Sequence, residues 1–396
     1  MVVFAIPGIQ DWDYFSLYLE EDHFVKVITK AWMRRLLPIA AASATAMSLA
    51  VAPLSTFAAD VSFAGKKVTI IVPFKEGGGA DVYARLFQPF LQKYLPGSPT
   101  VIVRNDPGGG SIKGANKFQR VKGDGLTAMS CSTSTLVPFA LGVKKVKYDV
   151  LSWRPVILSP QGSIFYATAD TGVKGSNIDD DIKALQGAKL NFGAKNPTSS
   201  ELRAVLAYEM LGIKDVNVIF GLSSGKQRKA LLRGELNINY DSANAYYRKV
   251  AKFHKEGKVT PIFTMGFAQA DGQLVRDPAA PELATVTEAF ENMHGKKPEG
   301  PVAAAFLNFL HMGVSASKSL VLPAGTPDDV HAAWVAAIEK TRADPEFVKL
   351  SKKAIGVYPQ YQGANATAVL KMATDMDPAT RTWIKGFIKT RFGVDI

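Results

Sequence analysis

The sequence predicts an α/β fold, and three observations support this prediction. Residues 67–74 (KVTIIVPF) form a continuous apolar, β-branched run, which is typical of a strand buried on both faces. Residues 80–94 follow with apolar side chains at helical spacing, which predicts an amphipathic helix. Strand and helix patterns then alternate along the chain, and this is the order of parallel β-α-β units.

The later elements continue this alternation, and no internal repeat or low-complexity linker interrupts it. We predict further strands at residues 100–104, 126–131, 189–193, 216–220 and 236–240. We predict further helices at residues 111–121, 200–211 and 226–232, then a mainly helical tail with segments near 328–342, 345–353 and 364–391. With 396 residues, of which 47% are hydrophobic, the chain is long enough for two domains with sizeable cores.

The N-terminal region carries the pattern of a secretory signal peptide. Residues 33–35 (MRR) carry two arginines, residues 36–54 are apolar and rich in alanine, and small residues follow. Cleavage after Ala58 would leave small side chains at both recognition positions, and cleavage after Ala59 is the alternative. We therefore predict an exported, periplasmic protein.

A membrane anchor is the alternative reading of this apolar stretch, since its length alone would allow a span. Pro38, Pro53 and many small residues make it a weak span, so we assign residues 33–59 to the signal peptide. Residues 1–32 fit no export pattern, and we interpret them as an upstream extension from a start assigned in error.

Charge and composition narrow the classes of partner. The formal net charge is +12, which favours anionic partners because a positive field concentrates anions. Nucleic acid is the obvious alternative, but the basic residues are spread along the chain and export is predicted, so we expect none. Cys131 is the only cysteine, and the five histidines show no HxxxH or HExxH spacing. We therefore predict no internal disulfide, no metal site and no cofactor.

The first of three glycine-rich connections joins the strand at 67–74 to the helix at 80–94. It reads GGGAD at residues 77–81, where backbone N–H groups and a helix N-terminus favour an anion. In open α/β sheets the ligand crevice lies at the carboxyl ends of the strands, where this connection falls. We predict a binding loop here, the alternative being a tight turn in which Asp81 caps the helix.

The second connection, residues 105–111 (NDPGGGS), resembles a dinucleotide loop but does not match one. Gly108, Gly110 and Gly114 miss the GxGxxG spacing by one residue, and no GxxxxGK[ST] phosphate loop occurs. We interpret this connection as turn structure and not as a cofactor site.

The third connection, residues 221–225 (GLSSG), fits the GxSxG nucleophile elbow between a strand and a helix. A serine hydrolase could then use Ser223, Asp241 and either His294 or His311. No HGGG-type oxyanion loop accompanies the motif, and neither histidine has a recognisable loop context. We interpret the segment as a helix-capping turn and keep an exported esterase as the alternative function.

Several landmarks then occur in an order that resembles a known family. Residues 66–95 (KKVTIIVPFKEGGGADVYARLFQPFLQKYL) are followed by VIVRNDPGGGS, GDGLT, YDVLSWRPVIL, PELATVTEAF and LVLPAGTP. From about Lys66 to the C-terminus the chain resembles the substrate-binding proteins of tripartite tricarboxylate transporters, the Bug family.

This resemblance implies a type II periplasmic-binding fold, with two α/β lobes that each hold a mostly parallel sheet. It implies lobe I at residues 60–163 and 313–396, and lobe II at residues 164–312. It implies a non-enzymatic receptor that closes by hinge motion over a small mono-, di- or tricarboxylate and delivers it to an integral-membrane permease. A sensor partner without a transport role is the alternative.

The resemblance also implies which residues border the ligand. In the first lobe they are the GGGAD loop, where Ala80 replaces the usual Thr or Ser, and the polar run at 130–135 (SCSTST). In the second lobe they are the loop at 191–200 and a strand end, with Lys195 as an additional charge partner. The predicted ligand-binding residues are Gly78, Gly79, Ala80, Asp81, Ser132, Thr133, Ser134, Asn196, Thr198, Ser199, Ser200, Tyr240, Asp241 and Ser242.

Overall fold

The computed structural model describes residues 61–269 and 273–396, so the predicted signal peptide and upstream extension lie outside the described residues. The strands are β1 (Lys67–Val72), β2 (Thr100–Asn105), β3 (Thr127–Ser132), β4 (Arg154–Ser159), β5 (Ser163–Ala167), β6 (Leu190–Gly193), β7 (Val216–Ile219), β8 (Ile238–Ser242), β9 (Thr260–Thr264), β10 (Phe267–Ala268), β11 (Leu274–Val275) and β12 (Lys318–Leu322). The α-helices are α1 (Gly79–Tyr94), α2 (Ile112–Phe118), α3 (Thr133–Ala140), α4 (Ile178–Gly187), α5 (Leu202–Met210), α6 (Ser224–Leu232), α7 (Ala243–Lys249), α8 (Ala251–Lys255), α9 (Val286–His294), α10 (Pro301–Leu310), α11 (Asp328–Ala343), α12 (Pro345–Ala354), α13 (Gly363–Thr374) and α14 (Pro378–Phe392).

The strands form two five-stranded sheets built on one plan. The first sheet has the order β2-β1-β3-β12-β4, and only β12 runs against the other four strands. The second sheet has the order β7-β6-β8-β5-β9, and only β5 runs against its neighbours. The predicted α/β fold with mostly parallel sheets is therefore confirmed. We call each sheet with its covering helices a lobe.

The chain crosses between the two lobes twice, and each crossing supplies the reversed strand of the sheet that it enters. The first crossing runs from β4 directly into β5. The second runs from α10 through a π-helical turn at His311–Ser315 into β12. The predicted lobe boundaries at 163/164 and 312/313 lie beside these crossings and stay predictions.

The hydrophobic cores explain why β1 reads as a continuous apolar run. Ile70 and Val72 pack on one face of the first sheet, in a cluster that includes Phe87 of α1 and Trp334 of α11. Ile71 points to the opposite face and joins the large core that continues under the second sheet. Burial of an aromatic side chain such as Phe87 contributes about 2 kcal/mol. No helix within the described residues is both long and apolar enough to cross a membrane.

The tail differs from the prediction, because the segment at 364–391 forms two helices instead of one. The helix α13 ends before Asp377, whose carboxylate accepts a hydrogen bond from the Thr380 N–H at 2.8 Å and caps α14. Pro378 occupies the first turn of α14, where its missing N–H costs nothing. The Asp-Pro pair therefore marks the end of α13 and the start of α14, and the apolar spacing alone does not reveal this boundary.

The strands at the two crossings carried no signal in the sequence. All residues of β5 and β12 are buried, so neither strand shows the alternation of a half-exposed strand. Each has only five residues and begins with a polar one, Ser163 or Lys318, so neither forms a long apolar run like that of β1. The direct passage from β4 to β5 also breaks the strand–helix order that guided the other assignments.

Candidate functional site

A cavity of about 430 Å³ lies where the carboxyl ends of strands from both sheets face each other. The first lobe lines it with the β1–α1 loop, residues 107–111 and the start of α3. The second lobe lines it with parts of the β6–α5 and β7–α6 loops and with the end of β8. This is the position at which open α/β sheets hold their ligands.

The β1–α1 loop brings three predicted residues to the cavity and keeps the fourth behind it. Gly78, Gly79 and Ala80 line the cavity, whereas Asp81 is buried behind them. The Asp81 carboxylate accepts hydrogen bonds from the Gly77 N–H at 2.9 Å, from Asn105 Nδ2 at 3.0 Å and from Arg85 Nε at 3.1 Å. Asp81 therefore shapes the loop from within.

The same contacts set the charge of Asp81. Burial raises the pKa of the carboxyl, but the hydrogen bonds from Arg85, Gly77 and Asn105 outweigh it and hold the pKa below the usual range. The carboxylate is therefore ionised at neutral pH and paired within the loop.

The start of α3 contributes two serines and turns its threonine toward the second lobe. Ser132 and Ser134 line the cavity. Thr133 does not, because its hydroxyl donates to the Met312 carbonyl at 3.2 Å and accepts from Arg203 Nη2 at 2.9 Å. The Ser134 hydroxyl accepts from the backbone N–H of Ser200 at 3.0 Å, so a hydrogen bond joins the lobes at the edge of the cavity.

Three of the four predicted residues on the β6–α5 loop form a turn of their own and do not line the cavity. The Asn196 side chain accepts from the Thr198 N–H at 2.9 Å, and the Ser199 hydroxyl donates to the Asn196 carbonyl at 2.7 Å. The fourth residue, Ser200, lines the cavity together with Lys195 and Glu201.

Lys195 forms an ion pair with the buried carboxylate of Glu201. Burial raises the pKa of Glu201, but the adjacent Lys195 charge lowers it further, and the pKa lies below the usual range. The charge that the sequence offered to a ligand is therefore already balanced inside the loop.

The end of β8 places Tyr240, Asp241 and Ser242 on the cavity wall, as predicted for a strand end. The Asp241 carboxylate accepts from Arg228 Nη1 at 2.5 Å and from the Tyr166 hydroxyl at 2.8 Å. This second ion pair leaves the strand end with polar side chains but little free charge.

Basic side chains nevertheless outnumber acidic ones around the cavity. Those that line it are Lys75, Lys195, Arg203, Lys226, Arg228, Arg248, Lys249 and Lys318, against Glu76, Glu201 and Asp241. This excess favours an anionic ligand, in line with the positive charge of the whole chain.

Two of these cations are buried, and sequence reasoning missed both. Arg203 of α5 donates to the Gly313 carbonyl at 2.7 Å and to the hydroxyls of Thr133 and Ser163 at 2.9 and 3.0 Å. Lys318 opens β12 and is 9% exposed. The signal available in the sequence was one basic residue inside an apolar segment for the arginine (LRAVLA), and one basic residue directly before a short apolar run for the lysine (SKSLVL).

Two glycine-rich segments beyond the GGGAD loop also reach the cavity. Residues 107–111, interpreted from the sequence as turn structure, line the first-lobe wall. A Cβ atom on Gly110 would lie 2.2 Å from Asn196 Nδ2, so the lobes approach each other closely at this point.

Ser223 of the GLSSG segment lines the cavity and precedes the first turn of α6, but a hydrolytic site is not assembled around it. Among the described residues, no histidine lines the cavity. His294 ends α9 beside Phe290, and His311 opens the π-helical turn. Asp241, the proposed acid, is paired with Arg228. The described residues also contain no cluster suited to hold a metal ion.

Comparison with known proteins supports the resemblance found in the sequence. No protein-family model matches the chain. A UPF0065 protein from the tcbD-tcbE intergenic region of Pseudomonas sp. (strain P51) is 25% identical over 296 residues, which cover 74% of this chain and 78% of that protein. The protein BugT of Bordetella pertussis is 34% identical over 93 residues, which cover 23% of this chain and 27% of BugT.

Solved structures with the same fold include periplasmic and solute-binding proteins. The periplasmic binding protein BugD superposes with a TM-score of 0.60 at 18% identity over 83% of this chain and 98% of BugD. An adipate-bound protein of R. palustris superposes with a TM-score of 0.61 at 16% identity, over 83% of this chain and 98% of that protein. Malate-bound MatC of Rhodopseudomonas palustris superposes with a TM-score of 0.58 at 18% identity, over 81% of this chain and 98% of MatC. Other neighbours with this fold include a TctC solute-binding protein from Polaromonas and a periplasmic transporter, and at these identities the likeness shows the fold.

Proposed function

We propose that this chain is a periplasmic Bug-type receptor that captures a small organic carboxylate between its lobes and delivers it to a membrane permease. The observation that carries this proposal is the cavity itself, which loops from both sheets enclose and in which basic side chains are in excess. Export, supported by the signal-peptide pattern, places such a receptor outside the cytoplasm.

The binding chemistry needs no covalent step. The N-terminus of α1, a helix of 16 residues, points its first turn at the cavity through Gly79 and Ala80. Helix N-termini and backbone N–H groups bind anions without a large desolvation cost. The hydroxyls of Ser132, Ser134 and Ser200 add neutral donors from both lobes.

Ligand capture would favour the closed arrangement of the lobes. A ligand that contacts both walls binds the closed form better than the open one, so it shifts the population toward closure. The two crossings, β4 to β5 and the π-helical turn to β12, are the segments at which such a hinge would bend. A permease that recognises only the closed form would then receive loaded receptor.

A carboxylate is the favoured anion because two structural neighbours hold dicarboxylates, malate in one and adipate in the other. The cavity is also large enough for such an acid. A sensor partner would use the same cavity, and uptake of the acid by cells with and without the gene distinguishes transport from sensing.

A thermal-shift screen tests this proposal. The purified protein is heated with acetate, succinate, L-malate, adipate, citrate and benzoate, and hits are measured by calorimetry. We expect at least one acid to raise the melting temperature and to bind at one per chain. A ligand at one hundred times its Kd stabilises a protein by about 2.7 kcal/mol, which such a screen detects.

The same preparation is assayed with p-nitrophenyl acetate. If no acid raises the melting temperature while the ester is hydrolysed and Ser223→Ala abolishes the hydrolysis, the receptor proposal is wrong and the esterase alternative is right.

A further inference from the structure

We propose that Lys318 is the residue that recognises the charge of the ligand, forming a direct ion pair with one carboxylate of the bound acid at the N-terminus of α1. This inference rests on the proposed function and deepens it, because it names a specificity-determining residue in the same cavity. It applies to acids that carry a full negative charge and excludes their neutral amides.

The position of Lys318 supports this role. Its side chain lies against the GGGAD loop, since a Cβ atom on Gly79 would be 3.3 Å from Lys318 Cε and 3.9 Å from Nζ. Lys318 lines the cavity, although only 9% of the residue is exposed. The ammonium group and the positive end of the α1 dipole therefore converge on one point.

The hydrogen bonds and charges around Lys318 leave its ammonium group incompletely satisfied. Its Nζ reaches the carbonyl and hydroxyl oxygens of Ser317, at 3.2 and 3.4 Å. Within the described residues, the ion pairs closer than 4.0 Å do not include one to Lys318. An ammonium group has three donors, so a buried one with so few acceptors is costly unless an anion joins it.

The charged groups that act on Lys318 are themselves cationic. They are Arg203 of α5, hydrogen-bonded to neutral oxygens, and Lys195 of the β6–α5 loop, paired with Glu201. The neighbouring strands β3 and β4 place serines opposite it in register, Ser132 and Ser159. Burial, then Arg203, then Lys195 lower the pKa of Lys318 to about 7.

This environment makes ligand binding depend on pH. A bound carboxylate favours the ammonium form, so the pKa of Lys318 rises in the complex. The complex then holds more protons than the free protein above pH 7, and each binding event takes up a proton. We therefore expect affinity to fall about tenfold per pH unit above pH 7 and to level off below it.

A buried ammonium without an anion also affects the unliganded protein. The unfolded chain binds a proton at Lys318 up to pH 10.5, whereas the folded chain releases it near pH 7. Removal of this charge should therefore stabilise the empty receptor at neutral pH and below, while it weakens ligand binding. Residues that serve a site at the expense of stability behave in this way, whereas a structural lysine would not.

The test compares the wild-type protein with Lys318→Met and with the matched control Lys352→Met, which removes a charge from the exposed face of α12. The probe is the tightest-binding acid of the panel above, and the same acid with every carboxyl group converted to an amide serves as the uncharged analogue. Calorimetry in phosphate and Tris buffers, between pH 6.5 and 8.5, gives the affinity and the proton uptake.

We expect Lys318→Met to weaken binding about 100-fold, to abolish the pH dependence and to raise the melting temperature of the empty protein. The control should leave all three unchanged, and the uncharged amide analogue should not bind the wild type.

If acids bind the wild type but Lys318→Met binds within threefold of it, the inference is overturned and the proposed function stands. If no acid of the panel binds the wild type, the proposed function fails and the inference with it. Should the variant not fold, proton uptake by the wild type decides: one proton per ligand at pH 8 supports the inference, and none overturns it.

Discussion

The charged side chains on the two walls of the cavity differ in whether they have a partner of opposite charge. On the second-lobe wall, Lys195 is paired with Glu201, and Arg228 is paired with Asp241. On the first-lobe wall, Asp81 is satisfied inside the loop, and Lys318 faces the cavity without a carboxylate partner among the described residues. The first wall therefore offers a ligand a buried ammonium group that has no anion beside it. On the second wall, Lys195 and Arg228 are held by carboxylates, and Arg203 is held by several neutral oxygens of the protein.

This difference gives the charges of the two walls different roles, one in the stability of the protein and one in the recognition of a ligand. Charges that are paired within the protein stabilise the loop that carries them, and removal of one partner leaves the other buried and uncompensated. A charge that is left unpaired costs stability until a ligand arrives. Substitutions on the two walls should therefore have opposite signatures, and the following predictions test this.

The largest effect on stability is expected for Glu201→Gln on the second wall. This change leaves Lys195 partly buried without an anion, which should destabilise the protein by about 3 kcal/mol at pH 7 in urea unfolding. Because the pKa of Glu201 lies below its unfolded value, its stabilisation is present above pH 4.5 and lost as the pH falls through the folded pKa. The loss of stability caused by Glu201→Gln should therefore become smaller at acidic pH.

Affinity for the acid should not fall in Glu201→Gln, since the change adds positive charge to the cavity. A loss of affinity as large as the loss of stability would contradict the distinction between the walls.

The next effect is expected for Gly79→Leu on the first wall. The side chain would occupy the space above Lys318, where a Cβ atom already lies 3.3 Å from Cε, and would separate the ammonium group from the α1 N-terminus. We expect affinity for the acid to fall about 30-fold, in proportion to the loss of a charge-assisted hydrogen bond. The melting temperature should change little.

Gly187→Leu is the matched control, because nothing lies within 4 Å of a Cβ atom at that exposed helical position. Titration calorimetry of both variants measures the difference, and equal affinities would show that the space above Lys318 is not used.

The smallest effect is expected where the two walls meet. Ser134→Ala removes the acceptor for the Ser200 N–H, a hydrogen bond of 3.0 Å between the lobes. A hydrogen bond of this kind contributes about 1 kcal/mol, so affinity should fall about fivefold if the bond forms on closure. Ser199→Ala is the comparison, since its hydroxyl bonds Asn196 and Glu201 within one loop. It should lower stability and leave affinity within twofold, and the reverse pattern would assign ligand contact to Ser199.

Much of the fold could be predicted from the sequence, and the reasons are local. The apolar run of β1 and the apolar stripe of α1 depend on neighbours in the chain, so spacing and residue type reveal them. The strands of the two crossings escaped prediction because each has only five residues and begins with a polar one, so neither forms a long apolar run like that of β1.

Only some of the residues that line the cavity could be predicted from the sequence. The glycines of the β1–α1 loop and the end of β8 line the cavity, as their place after buried strands suggests. The hydroxyls at Thr198 and Ser199 suited a ligand equally well by type, yet they are bonded within their own turn. Residue type alone does not say whether a polar group is already satisfied.

By itself the sequence determined the α/β class and the family resemblance, and it predicts an export signal, because each of these depends on contiguous residues. The tertiary structure decided which charges stay free. Lys318 lies 123 residues from Lys195 along the chain, yet both line the same cavity. Among the residues that the structure describes, folding pairs Lys195 with Glu201 and gives Lys318 no carboxylate partner. Ion pairing depends on distances of a few ångströms between distant segments, and no local pattern encodes such distances.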